Sequence, residues 1–379
     1  MKILNVVSVF FSIPSFFGKQ INHFHSKGYE IHIICSPSKE LSAYSIENRF
    51  KFKEVELSRR FSIINDLFAV INVYRYIKQN KIDIVTGHTV KGSFISMIAS
   101  FIAGVSKRVY FRHGFYFENL KGLKRVLLMN IDRFTSLLST HVVCVSPFVY
   151  EKSISWSLTT EKKLLIINNG SCNGVDSAIQ FNPSILKKDY LEKIKNKIGI
   201  KYNNFIIGYT GRIVRDKGIE ELVDAYKLVK EKYSNIILLL VGPFEIRDCI
   251  SLRIKKIIAM DNQIITTGLV SKNIEYYYSL MDLFILPTYR EGLGTSILEA
   301  SAMKLPVLTT SHSGSRDAIC HNITGMYIEL TVKSIFENIS IYIESEKVRL
   351  EHGANGREFI VNNFSHEIVW NDLEKNIYK

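Results

Sequence analysis

No Asp-x-Asp triplet occurs anywhere in this chain, which removes the simplest carboxylate pair for holding a divalent ion against a diphosphate. Cysteine is sparse and scattered: Cys35, Cys144, Cys172, Cys249 and Cys320 stand singly, with no close pair for zinc or disulfide exchange, and read as reduced packing residues. The first strand-like run is followed by no Gly-x-Gly-x-x-Gly, so a dinucleotide fingerprint is absent. The longest apolar run, 94–105 with Gly104 near its end, falls short of the roughly 20 residues of a spanning helix and reads as a buried one. Acidic residues are in deficit, leaving a formal net charge of +13. That balance favours an acidic partner, either an anionic membrane surface or a phosphorylated small molecule. Nucleic acid is not expected as a partner, because the basic residues are dispersed and match no DNA- or RNA-binding signature.

What is present is a chain of 379 residues, 46% hydrophobic, long enough for two domains with their own cores. It opens straight from Met1-Lys2 into a strand-like run, Ile3 to Val9, without a signal-peptide pattern, so a cytoplasmic location is expected. A loop through Pro14 to Gly18, a helix to about Lys27 and a strand Tyr29 to Ile34 complete a βαβ opening. Between Phe61 and Lys78 apolar residues fall at 64, 67, 68, 71, 74 and 77, a helical stripe expected to face the core. Arg59, Arg60, Lys78 and Lys81 flank it, so the sharper alternative is a basic amphipathic face resting on a membrane.

Two further strands, Ile82 to Thr86 and Arg108 to Arg112, end at Gly87-His88 and His113-Gly114. Open α/β sheets bind ligands at such carboxyl ends. A strand from Lys163 to Ile167 then leads into a polar, glycine-rich crossing at 168–176, where a domain boundary is expected. The second half begins with a Lys-rich connecting segment, 186–201, and a strand, Phe205 to Thr210. Gly211-Arg212 leave that strand, and Lys217-Gly218 precede a helix from Ile219. Both cations and the helix N-terminus can converge on one diphosphate, Arg through its planar fork and Lys as a point charge.

The segment 287–300, Pro-Thr-Tyr-Arg-Glu-Gly-Leu-Gly-Thr-Ser-Ile-Leu-Glu-Ala, organises this half. A strand, Leu283 to Leu286, stops at Pro287; Gly292 and Gly294 permit close backbone approach, and Thr295 or Ser296 can cap the helix that follows. Glu291 and Glu299 can accept hydrogen bonds from vicinal diols while free amides take phosphate or sugar oxygens.

The paired glutamates, the Gly-Arg and Lys-Gly turn about 80 residues before them, and the segments His-Thr-Val-Lys-Gly at 88–92 and Arg-His-Gly-Phe-Tyr-Phe at 112–117 together resemble family four of the retaining nucleotide-sugar glycosyltransferases, of the bacterial surface-polysaccharide type. The resemblance covers nearly the whole chain. It implies an α/β protein with two Rossmann-like domains facing across a cleft, the B-type fold. The domains would be 1–172 for the acceptor, 173–356 for the nucleotide sugar, and a helix at 357–379 crossing back to the first. By the same resemblance Glu291 and amides near Gly294 orient the donor sugar, Glu299 holds the ribose, Arg212 and Lys217 stabilise the diphosphate, and Gly211 and Thr295 also belong to the donor site. His113 contacts the sugar at the reaction centre. Gly268 and Val270 lie by the base, and Gly18 alone stands for a glycine pair usual in the first loop. His88, Lys91 and Arg112 are acceptor-side candidates. The implied substrates are a nucleotide sugar, expected to be a UDP-sugar, and a polyprenyl-diphosphate-linked saccharide at the inner membrane face, with no metal and no other cofactor. A UDP-sugar 2-epimerase of the same fold and an inert membrane-associated scaffold are the alternatives.

Overall fold

The computed structural model describes residues 1–58, 62–200, 203–246 and 248–379. They form two α/β units, Met1–Gly174 with His366–Lys379, and Val175–Ser365. Among the described residues the first unit holds seven strands: β1 (Lys2–Val6), β2 (Glu30–Cys35), β3 (Lys51–Glu54), β4 (Ile84–Gly87), β5 (Lys107–Arg112), β6 (His141–Cys144) and β7 (Leu164–Ile166), in the order β3-β2-β1-β4-β5-β6-β7. The second unit holds six: β8 (Phe205–Thr210), β9 (Ile236–Val241), β10 (Ile264–Thr266), β11 (Leu283–Leu286), β12 (Val307–Thr310) and β13 (Gly325–Ile328), in the order β10-β9-β8-β11-β12-β13. All of these neighbours pair in parallel.

The strand compositions explain the class. β9, Ile-Ile-Leu-Leu-Leu-Val, is buried along its whole length, and β1 and β2 bury all but their first residue. Continuous apolar runs of this kind suit a parallel sheet covered by helices on both faces. The strand order reverses between β1 and β4 and again between β8 and β11, and loops leaving the strands at such switch points are where open α/β sheets place ligands.

Several expectations are corrected. The division between units falls after Gly174 rather than after 172, and the chain rejoins the first unit at His366 rather than at 357. The reason is that Glu346–Phe364 is a single helix, anchored in the second unit where Arg357 Nη1 donates to Phe181 O at 3.0 Å. The returning segment is fastened by Trp370 Nε1 donating to Asn173 O at 2.8 Å and by Asn168 N donating to Asp372 Oδ2 at 2.7 Å. The Lys-rich stretch read as a connector contains a helix, Lys188–Ile198, ended by Gly199 in a left-handed cap.

The run at 94–105 lies largely in helix Val90–Ile102, whose Ile95, Met97 and Ala99 are fully buried. The helix Ile63–Asn80 differs from its reading. Its core face is Ala69, Val70, Val73 and Ile77, whereas Ile64, Leu67 and Phe68 of the apolar stripe are exposed, as is Ile63 at 91%. Arg59 and Arg60, which were expected to flank this helix, lie outside the described residues. No described helix is long and apolar enough to cross a membrane.

Candidate active site

In the second unit the loops after β8 and β11 build one polar cluster. Gly211 N donates to Val241 O at 2.9 Å and Tyr209 Oη donates to Arg212 O at 2.6 Å, so buried partners set the backbone of the Arg212 turn. Arg215–Lys217 make a single 3₁₀ turn that ends at Gly218 in a left-handed conformation, φ +68°. A Cβ on Gly218 would lie 1.8 Å from Pro287 O. Only glycine therefore permits this approach, and the approach carries Lys217 onto the loop after β11. Lys217 Nζ sits 2.9 Å from Glu291 Oε1 and donates to Arg290 O at 3.3 Å. A second strap joins the same loops, Arg290 Nη2 to Asp216 Oδ2 at 3.0 Å. The phosphate-turn candidate and the first glutamate, distant in sequence, are thus in direct contact. Arg212 Nη1 pairs with Glu245 Oε2 at 2.9 Å and stays partly exposed.

The second glutamate projects from helix Thr295–Ala302. Neither Thr295 nor Ser296 caps that helix, contrary to expectation. Gly294 occupies the N-cap in a left-handed conformation, φ +86°, and no side chain accepts from the first turn. Thr295 is exposed. Tyr278 Oη donates to Glu299 Oε2 at 2.7 Å. Burial raises the Glu299 carboxyl to about 7; the Tyr278 hydrogen bond opposes this rise and the charge of Glu275 adds to it. Gly268, at φ +68°, follows the end of β10 and bridges to Gly242, and Val270 beyond it is half-buried.

In the first unit, His88 and His113 leave the ends of β4 and β5 and meet. His88 Nδ1 and His113 Nε2 are 3.0 Å apart, and His88 Nε2 is 3.1 Å from Thr86 Oγ1. Phe16 stacks on the His113 ring at 4.0 Å. Phe16 lies just before Gly18, whose left-handed turn (φ +36°) leads into helix Gln20–Ser26. Burial depresses the pKa of both histidines, His113 to about 3, and the His113 charge lowers His88 further. Both rings are therefore neutral at physiological pH.

The other two acceptor-side candidates have internal roles. Arg112 is fully buried and bonds Asp132, Ser136 and Ser153 through its terminal nitrogens, while its guanidinium lies over Tyr110 and Phe115. Lys91 Nζ lies 2.6 Å from both Asp66 carboxylate oxygens, and this partly buried pair ties the first turns of helices Ile63–Asn80 and Val90–Ile102 together. Both leave the acceptor-side set.

Sequence reasoning missed Glu245, Tyr278, Asn5 and Thr86. None of them belongs to a motif, and no spacing signals them.

The model of the family "Glycosyl transferases group 1" matches residues 191–359, and that of "Glycosyl transferase 4-like" matches residues 3–145. The capsular polysaccharide biosynthesis glycosyltransferase CapM of Staphylococcus aureus is 33% identical over 374 residues, covering 98% of this chain and 96% of CapM. The UDP-Gal:alpha-D-GlcNAc-diphosphoundecaprenol alpha-1,3-galactosyltransferase of Escherichia coli is 28% identical over 340 residues, covering 89% of this chain and 86% of its own. Among solved structures, Anabaena HepE in complex with UDP and glucose superposes with a TM-score of 0.82 at 18% identity, covering 100% of both chains. A glycosyltransferase from Rickettsia africae gives 0.80 at 23% identity, covering 100% of this chain and 98% of that one. With two parallel-sheet α/β units in the B-type arrangement of elements and a full-length relative at this identity, the chain belongs to the family-four, group 1 glycosyltransferases.

Proposed function

We propose that this protein moves a sugar, with retention and without a metal, from a UDP-sugar to a saccharide carried on a polyprenyl diphosphate, in assembly of a bacterial surface polysaccharide such as capsule or O-antigen. The observation that carries the reading is the contact between Lys217 and Glu291. It places a cation suited to the departing diphosphate beside a carboxylate suited to the sugar, at the switch point of the second sheet. Arg212 and Lys217 stabilise charge developing on the leaving diphosphate. Glu291 and the uncapped amides after Gly294 orient the donor sugar, and Glu299 accepts from the ribose. Gly211 lets the backbone approach the phosphates, Gly268 and Val270 flank the base, and His113 meets a sugar hydroxyl. The leaving phosphate helps take the acceptor's proton as its hydroxyl attacks from the same face. The absence of Asp-x-Asp and the presence of the two cations support metal independence. The name of the Escherichia coli relative, which includes a diphosphoundecaprenol-linked acceptor, supports the choice of acceptor, and that of CapM supports the polysaccharide.

A lipid-borne acceptor also suits the surface of the first unit. Ile63, Ile64, Leu67 and Phe68 are exposed on the first turns of helix Ile63–Asn80, and Leu123, Val126 and Leu127 on the first turns of helix Gly122–Leu138. Both helices flank helix Val90–Ile102. Each is followed by a strand of the parallel sheet, so their N-terminal turns lie towards the carboxyl edge of the strands, where His88 and His113 sit. Lys121 and Lys124 are exposed beside the second cluster. Apolar side chains rimmed by cations fit the cytoplasmic face of an anionic membrane.

Incubation with labelled UDP-sugars, with and without membrane lipid extract, tests the reading. Lipid-dependent transfer of label is expected. Interconversion of the nucleotide sugar without lipid would instead mark an epimerase, and inertness a scaffold.

A further inference from the structure

Asn5 on β1, Thr86 on β4, His88 at the end of β4 and His113 after β5 form one directed chain of hydrogen bonds. Thr86 Oγ1 donates its single proton to Asn5 Oδ1 at 2.6 Å, so at its 3.1 Å contact with His88 Nε2 the hydroxyl oxygen accepts. His88 then carries its proton on Nε2 and offers a bare Nδ1. That atom, 3.0 Å away, receives the Nε2–H of His113. His113 keeps its lone pair on Nδ1, which has no hydrogen-bond partner among the described residues. The rings have little freedom to exchange these roles. Phe16 stacks on His113 at 4.0 Å, and Phe111 stacks on His88 at 4.4 Å. Asn5 and Thr86 are buried, at 3% and 0% exposure.

We propose that Asn5, Thr86 and His88 are positioning residues that lock His113 in its Nε2–H tautomer and present Nδ1 as a hydrogen-bond acceptor to a hydroxyl of a sugar substrate. The identity of that hydroxyl rests on the transferase reading; the tautomer does not. Donation at one nitrogen of each ring polarises the next bond, so the chain strengthens Nδ1 as an acceptor. A bare Nδ1 cannot donate to a departing oxygen. His113 therefore orients a hydroxyl, and neutralising the leaving group falls to the cations of the second unit.

The experiment is long-range ¹H–¹⁵N correlation on the full chain with ¹⁵N-histidine, which reads ring tautomers directly, combined with transfer kinetics. The wild-type protein should show both rings protonated on Nε2. Thr86→Val keeps the shape and removes the acceptor; it should release the tautomer and lower kcat roughly tenfold, the scale of one orienting hydrogen bond, with little change in KM for the nucleotide sugar. Thr86→Ser should rescue both readouts. A wild-type His113 protonated on Nδ1, which needs no variant to fold, overturns the proposal. So does a Thr86→Val protein whose His113 tautomer is unchanged. Failure of the wild type to transfer any sugar overturns the transferase reading, and the spectra still decide the chain.

Discussion

Lys217 Nζ and Glu291 Oε1 stand 2.9 Å apart, held there by a glycine that lets two loops touch. Their nearness makes the cation and the carboxylate one unit. Replacing Lys217 by Ala removes the cation proposed to stabilise the diphosphate and takes from Glu291 its ion-pair partner. The expected loss in kcat/KM corresponds to about 2–4 kcal/mol of transition-state stabilisation, with a similar loss for Arg212→Ala. Combining Lys217→Ala with Glu291→Ala should cost clearly less than the sum of the single losses, because residues in contact are not additive. Strictly additive losses would separate the two roles.

Nucleotide affinity should rise between pH 6 and pH 8. The Glu299 carboxyl titrates at about 7 in the folded chain, against 4.5 for an ordinary glutamate, so acid removes the carboxylate that would accept from the ribose. The sign for stability is opposite. From pH 4.5 to 7 the folded state holds a proton that the unfolded state has lost, so the neutral carboxyl's contribution is full at low pH and declines as pH rises through 7. Titration calorimetry with UDP across this range should show the rise, and Glu299→Gln should flatten it. A wild-type affinity independent of pH would remove Glu299 from the ribose site.

Asp132→Ala should be among the most destabilising single changes in the first unit. It strands the fully buried Arg112 guanidinium, and breaking such a pair costs about 3–5 kcal/mol. Urea unfolding measures this directly. A midpoint equal to wild type would mean that water or another group replaces the lost carboxylate.

The protein should sediment with vesicles containing anionic lipid at low ionic strength and be released by 0.5 M salt, where the Debye length is roughly 4 Å. Leu123→Ser together with Leu127→Ser, on the exposed turn of helix Gly122–Leu138, should weaken sedimentation and spare UDP binding in the second unit. A wild type that ignores such vesicles would leave the positive charge a matter of composition alone.

Transfer should persist in EDTA. If added magnesium or manganese proves necessary, the charge role assigned to Arg212 and Lys217 is incomplete.

The class of fold was legible in sequence because parallel strands buried on both faces are written as unbroken apolar runs, and β9 and β11 are such runs. The strand ends were legible too, since Gly211-Arg212, Gly87-His88 and His113-Gly114 mark where apolar runs stop. The edge strand β3 was not: it is Lys-Phe-Lys-Glu and largely exposed, which by composition reads as a loop. Periodicity also misassigned the inner face of helix Ile63–Asn80. The stripe at 64, 67 and 68 and the stripe at 69, 70, 73 and 77 both have helical spacing, and only the sheet beneath determines which is covered.

By itself, the sequence determined the residue types that suit a phosphate, a diol and a sugar, and the order in which the chain presents them, because those follow from side-chain chemistry and from where strands end. Tertiary structure alone decided which of these residues act together. Lys217 reaches Glu291 because Gly218 has no Cβ to strike Pro287, while Arg112, beside His113 in sequence, turns inward to Asp132 because successive strand residues point to opposite faces of a sheet.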